Sequence, residues 1–326
     1  MATNEIQTTW LTQHVGVYVT PDRVVRLSGE DRQSWLNGQV TNDVRELIAG
    51  HAVYALSVSL KGRVNSDLWA LKSASTTDDE TDAELALVLP LAGLDAALAT
   101  FEKHIIMEDV ELLPDPSLRV ITLQGPKAQA LKEALGPLAA RAYVCARLPP
   151  LPGFELWVPQ PELDQALALL AREAQSLGGG VLDADGWGHA HVVLGVPRMG
   201  VDFGAETYPQ EAGLKARSVS FSKGCYTGQE VVYMLEKRGQ VARRLVQLRA
   251  LEAPLPAPAT LVTDAEGKRL GEVTSTAQHG PYGVALAYLK RVQAHAGASV
   301  HIAGKAWEVS CVPGEDPSAC PIVASV

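Results

Sequence analysis

Cysteine is scarce in this chain: Cys145, Cys225, Cys311 and Cys320 are the four among 326 residues. So thin a supply builds no disulfide framework, and a reducing compartment is the simpler setting. Zinc-ligand spacing is missing too, since Cys311 and Cys320 are separated by eight residues, two of them proline, with no His or Cys pair beside them. No run approaches the ~18 apolar residues of a membrane-crossing helix. The first twenty residues mix Asn4, Glu5, Gln7, Gln13 and His14 with scattered apolar ones, unlike a secretory leader. A cytoplasmic protein with no membrane partner is therefore expected. Positive charge is also short: 28 Lys and Arg against 37 Asp and Glu leave a net −9. That excludes a general attraction to phosphate backbones, so no direct nucleic-acid partner is expected without a local basic patch. A glycine-rich phosphate loop, His-Glu-x-x-His and Gly-x-Ser-x-Gly are all absent, and the eight histidines are dispersed.

What is present is an ordinary globular composition, 47% hydrophobic and 20% charged, in a chain long enough for two or three compact units. Val24 to Leu27 is β-prone apart from Arg26, and Ser28-Gly29-Glu30-Asp31 follows with the spacing of a helix start. The same pattern recurs at Val120 to Gly125, with Pro126 at a first helical position and a helix-forming run from Lys127 to Leu135. A second pair aligns Leu87-Val88-Leu89-Pro90 and its Leu94-Asp95 with Leu156-Trp157-Val158-Pro159 and its Leu163-Asp164. Both read strand, proline, amphipathic helix. Two pairs in the same order imply an internal duplication of an α+β unit.

Between the repeats, Tyr54 to Leu60 and Val64 to Leu71 flank Lys61-Gly62 as a hairpin, and the acidic stretch Ser73 to Asp82 reads as a solvated loop. After Arg244, six short β-prone runs begin at Leu245, Thr260, Glu272, Gly283, Ser299 and Trp307, with turn signals between them. A small all-β module is expected there, with a boundary between residues 1–242 and 243–326.

The densest chemistry lies in Lys223-Gly224-Cys225-Tyr226-Thr227-Gly228-Gln229-Glu230. Thr227 and Glu230 have capping-box spacing, which predicts a helix start whose apolar face is Val231, Val232, Met234 and Leu235, ending at Gly239. Cys225 then sits near the positive end of a helix dipole with Lys223 close by, a setting that favours thiolate. Cys145, in an apolar stretch after Tyr143-Val144, reads as packing.

This octapeptide, with Val231-Val232 and Arg238-Gly239 after it, resembles the signature of the YgfZ-type folate-binding proteins, relatives of the glycine-cleavage T protein, an aminomethyltransferase. Leu27-Ser28-Gly29-x-Asp31, Leu36 to Val44, Leu60 to Val64 with Asp67, and Pro197-x-x-Gly200-x-Asp202 with Pro209 to Leu214 resemble further blocks in family order. The resemblance implies an α+β fold with two related lobes and a C-terminal β-barrel around a central opening. It implies a folate-like small molecule, tetrahydrofolate, in that opening, and a role in assembling or maintaining iron–sulfur clusters in client proteins, including one that modifies tRNA. Carried over onto this chain, it makes Cys225 and Lys223 the reactive pair and places Asn42, Lys61, Arg63, Asp67, Tyr226, Gln229 and Glu230 at the ligand.

Two blocks depart from the pattern. Relatives carry Arg-x-Glu-x-Gly before the Pro-x-x-Gly block, the Glu gripping the pterin. Here the stretch is His191-Val192-Val193-Leu194-Gly195, with Val193 in the acid's place. Valine accepts no hydrogen bond, so a pterin must be held differently or weakly. Aminomethyltransferases also resemble one another in an Asp-Asp pair where this chain has Ser66-Asp67. The expectation is thus a YgfZ-like protein rather than an ordinary aminomethyltransferase; a folate-dependent transferase and a non-catalytic protein-docking module are the alternatives.

Overall fold

A computed structural model describes residues 3–73, 84–237 and 241–314. The acidic stretch after Ser73, the stop at Arg238-Gly239 and Cys320 lie outside these residues. The chain runs through α1 (Thr3–Gln13), β1 (Gly16–Val19), β2 (Arg23–Ser28), α2 (Arg32–Gln39), β3 (Ala52–Val58), β4 (Val64–Lys72), β5 (Leu85–Leu89), α3 (Leu94–Glu102) and β6 (Glu111–Asp115). It continues with β7 (Leu118–Gln124), α4 (Ala128–Ala134), β8 (Ala142–Val144), β9 (Gly153–Pro159), α5 (Leu163–Ser176), β10 (Gly180–Val181), α6 (Ala184–Val193), α7 (Lys215–Ser218) and α8 (Gln229–Lys237). The last six strands are β11 (Arg243–Leu251), β12 (Leu261–Thr263), β13 (Arg269–His279), β14 (Tyr282–Lys290), β15 (Ser299–Ile302) and β16 (Lys305–Cys311).

The duplicated sequence pairs fall at equivalent places in two five-stranded sheets, ordered β3-β4-β5-β2-β6 and β10-β1-β7-β9-β8. In the first, β2 pairs antiparallel with β5; in the second, β7 pairs antiparallel with β9. After β5, Pro90 (φ −58°, ψ 133°) leads into a 3-10 turn and α3; after β9, Pro159 (φ −56°, ψ 139°) leads into a 3-10 turn and α5. Proline fixes φ and has no N–H for a sheet ladder, so it turns the chain off the sheet edge at the same step in both units.

Each sheet is apolar on both faces, as its strands' unbroken runs of Val and Leu require. On one outer face Trp35, Leu36, Ala97 and Phe101 from α2 and α3 cover Val25, Leu27, Ala70 and Leu87. On the other, Leu131, Ala166 and Leu170 from α4 and α5 cover Ile121, Leu123 and Leu156. The inner faces meet, bringing Val24, Tyr54, Trp69 and Val88 against Val120 and Trp157. The result is helix, sheet, sheet, helix.

One local expectation fails. Helix α2 opens at Arg32 rather than Ser28, because Ser28 is still paired with Glu111 in the sheet. Asp31 takes the N-cap position, and its carboxylate accepts from the Asp109 amide at 2.9 Å instead of capping the helix.

All six β-prone runs of the C-terminal region are strands, and they close into a barrel in the order β11-β14-β13-β12-β15-β16. Its interior is filled by Val246, Leu248, Val262, Leu289, Val300 and Val309. Outside it, Leu245, Ala277, Val284, Leu286 and Tyr288 pack on Val192 and Val193 of α6. Gln247 Nε2 donates to the carbonyls of Val192 and Val193 at 2.8 and 2.9 Å, satisfying the end of that helix. With Leu11 of α1 packed near Trp187 and Ala190, α6 is held between α1 and the barrel.

Candidate functional site

Where the lobes meet α6 and the segment after it, a cavity of about 320 Å³ opens, within the range of small-molecule sites. Two aromatic pairs wall it. Tyr18 of β1 stacks on Trp187 of α6 with ring centres 5.0 Å apart and planes 13° off parallel, and Tyr54 of β3 lies 5.0 Å from Trp69 of β4.

Asp67, on β4, supplies the acid. Its Oδ2 accepts from the Tyr54 phenol at 2.9 Å, while Oδ1 is buried with no partner. Burial raises Asp67 to about 6 against the opposing bond from Tyr54, and burial with the neighbouring carboxylate lifts the Tyr54 phenol well above its usual range. A buried carboxylate oxygen without a donor is costly unless a ligand supplies one.

His191 lines the same cavity, edge-on to Trp187. Its Nδ1 lies 2.8 Å from the Val196 carbonyl, which only accepts, so Nδ1 carries the proton and Nε2 is an acceptor. Burial pushes His191 down to about 3, leaving it neutral at physiological pH.

Three arginines reach the cavity, and they differ in commitment. Arg147 is held by Asp22 at 2.7 Å and by Glu155 at 2.8 Å. Arg198 Nε is buried without a hydrogen-bond partner, 3.9 Å from the Asp202 carboxylate. Arg217 stacks its guanidinium 4.1 Å over the Tyr54 ring and 5.7 Å from that of Trp69. Among the described residues no oxygen accepts from that guanidinium, and burial lowers its pKa. Ring faces compensate such a cation only in part, so this guanidinium can still take an anion or a carbonyl oxygen.

Of the residues assigned to the ligand or the reaction from sequence, Asp67 alone lines this cavity. Asn42 stands behind its wall, its Nδ2 donating to the Tyr54 carbonyl at 2.9 Å and the Arg217 carbonyl at 3.3 Å. Lys61 is exposed on the hairpin turn; Arg63 lies 4.7 Å over the Tyr208 ring and 3.3 Å from the Glu206 carboxylate. Tyr226 is buried in the core between the sheets, which raises its phenol to about 12, whereas Gln229 and Glu230 open α8 at the surface. Val193 does not mark a lost cavity acid: its side chain packs on the barrel. The cavity-facing member of that block is His191.

The thiol stands elsewhere. Cys225 is free and exposed, and Cys145 is free and buried. The predicted capping box does not form: the Thr227 amide donates to the Gly38 carbonyl at 3.0 Å, and α8 begins at Gln229. Gly228, at φ +78°, makes the turn between them, and a Cβ there would lie 2.3 Å from the Ser59 carbonyl oxygen. Val232 is the buried residue of α8, while Tyr233 and Met234 are exposed together with Phe221. Lys223 is not directed at the thiol. Its ammonium donates to the carbonyls of Asn37, Val40 and Asn42 at 2.6, 2.7 and 2.7 Å, which uses all three of its protons.

Sequence reasoning missed Tyr54, Trp187, His191, Arg198 and Arg217. Trp187 and His191 are spaced i, i+4 on α6, a signal hidden by the glycines at 186 and 188 that weaken any helical reading. Tyr54 and Trp69 were legible only as strand residues, because their meeting depends on hairpin register.

Comparison with known proteins agrees with this architecture. Residues 243–313 match the family described as CAF17, C-terminal beta-barrel domain. The tRNA-modifying protein YgfZ of Yersinia pseudotuberculosis serotype O:1b (strain IP 31758) is 28% identical over 245 residues, covering 72% of this chain and 70% of that protein. Its counterpart in Yersinia enterocolitica serotype O:8 / biotype 1B (strain NCTC 13174 / 8081) is 27% identical over the same length. Among solved structures, the glycine cleavage system aminomethyltransferase T from Bartonella henselae superposes with a TM-score of 0.74 at 19% identity, covering 95% of this chain and 89% of that one. Among the described residues no helix is long and apolar enough to cross a membrane. The chain therefore has a YgfZ-type, T-protein-like fold, two related α/β lobes joined to a CAF17-type C-terminal β-barrel.

Proposed function

We propose that the chain is a YgfZ-like accessory protein. Its cavity takes a reduced folate, and its Cys225 loop meets iron–sulfur client proteins, among them one that modifies tRNA. The observation that carries the ligand half is the unpartnered Asp67 Oδ1, in a cavity that two aromatic pairs and the Arg217 guanidinium also line. Tetrahydrofolate fits that donor set. Its flat pterin suits the rings, its N–H edge suits Asp67 and His191 Nε2, and its carbonyl or carboxylate oxygens suit Arg198 and Arg217. Bound, it would supply a one-carbon carrier or a reducing pterin. The protein's own contribution is to orient it: Tyr54 fixes one oxygen of Asp67 and leaves the other to the ligand.

The tRNA-modifying role named for the Yersinia relatives, the exposure of Cys225, and the exposed Phe221, Tyr233 and Met234 of the same loop and helix support an outward-facing role for the thiol. Ser66, in place of the first acid of the Asp-Asp pair that aminomethyltransferases share, favours this reading over group transfer. The test is the activity of an iron–sulfur tRNA-modifying enzyme in cells that lack this chain, then regain it either intact or as Cys225→Ser. Restoration by the intact chain and not by the variant is expected; equal restoration by both would remove the thiol from the account.

A further inference from the structure

Between Ser220 and Thr227 lies the loop that presents Cys225, and among the described residues no backbone amide of Phe221 to Tyr226 donates to another group of the protein. The loop's ends are tied to the turn after α2. The Ser220 amide donates to the Thr41 carbonyl at 3.0 Å, the Thr41 hydroxyl to the Ser218 carbonyl at 2.5 Å, and the Thr227 amide to the Gly38 carbonyl at 3.0 Å. Its middle is held by the buried ring of Tyr226 and by the Lys223 ammonium on the carbonyls of Asn37, Val40 and Asn42. We propose that Lys223 is a positioning residue: by gripping three carbonyls at and just beyond the C-terminal end of α2, it fixes the loop that presents Cys225.

The carbonyls at a helix C-terminus lack helical donors and carry the negative end of the dipole, so a cation there satisfies both needs. Three acceptors converging on one point match a tetrahedral ammonium and not the flat fork of a guanidinium. The same grip reaches the cavity, because Asn42 gives its carbonyl to Lys223 and its amide to the carbonyls of Tyr54 and Arg217. The other groups facing Lys223 are Asp43 and Arg45, which pair with each other at 2.7 Å, and the Tyr226 ring at 5.2 Å. Burial lowers Lys223 to about 8. The neutral amine keeps two donors for three carbonyls, so the grip should loosen as pH rises through that value.

The inference rests on Cys225 being the working group but is read without any functional assay. Hydrogen exchange at the Ser220 and Thr227 amides, corrected for intrinsic rates, is measured from pH 6 to 10 on the full chain, with iodoacetamide labelling of Cys225 per thiolate beside it. Wild type, Lys223→Arg and Lys223→Ala are compared, the last with and without ethylammonium. In wild type both readouts should step up about tenfold near pH 8. Both variants should be fast at every pH, and ethylammonium should slow Lys223→Ala alone. Wild-type protection without a step overturns the proposal even if the variants misfold, as does Lys223→Ala protection equal to wild type. If Cys225→Ser supports client enzymes normally, the functional reading fails while the loop result stands.

Discussion

Tyr54 donates its phenol to one oxygen of Asp67 at 2.9 Å and leaves the other buried without a donor. On the proposed reading the missing donor comes from the ligand. Asp67 sits at about 6 in the fold and at its ordinary 3.8 when exposed. Between those values the folded chain holds a proton that the unfolded chain has released, so this residue's contribution to stability falls as pH rises from 3.8 to 6. Asp67→Asn should abolish that slope and make the ligand-free chain more stable at pH 7 by roughly 2–3 kcal/mol, measured by urea unfolding at a series of pH values.

His191 has the opposite sign. Its folded value of about 3 lies below the ordinary 6.5, so the unfolded chain gains a proton first as pH drops. Its contribution is complete above 6.5 and is lost as pH falls toward 3. His191→Gln should remove this acid-side loss, while Asp67→Asn should expose it in full, because the two windows overlap. Melting temperatures from pH 3.5 to 7 in both variants check the pair.

Arg217 should separate stability from binding. It is a half-buried guanidinium compensated by two ring faces and the charge of Asp67, with no hydrogen-bond acceptor, so Arg217→Met should leave the ligand-free chain about as stable or more stable, by up to about 2 kcal/mol. The same change should weaken an anionic or carbonyl-bearing ligand by tenfold or more. Paired unfolding and binding measurements decide it; a variant that unfolds earlier and binds equally well would reduce Arg217 to a wall residue.

Val193→Glu restores nothing on this account. The side chain is fully buried against Leu245, Val284 and Leu286, so a carboxylate there has no donor and should cost 3 kcal/mol or more, on the order of a buried unpaired charge. Thermal unfolding should show the loss directly.

The lobes, their duplication and the six barrel strands were legible because each rests on local pattern: alternation, proline after a strand, glycine in turns. Asp67 was legible through its block. The remaining cavity groups were not, since Tyr54, His191 and Arg217 come from a strand, a glycine-weakened helix and a four-residue turn of helix that only packing brings together. Lys223 shows the converse error. Its closeness to Cys225 in sequence suggested electrostatic activation, yet its side chain turns inward to the carbonyls of a segment more than 180 residues away.

The most direct test of the central claim is a titration of the full chain with tetrahydrofolate under anaerobic conditions, following tryptophan fluorescence from Trp69 and Trp187 at the cavity wall. Saturable quenching is expected, weakening tenfold or more in Asp67→Asn and in Arg217→Met. No saturable change in the wild-type chain, or equal affinity in all three proteins, would contradict the assignment of this cavity to a reduced folate.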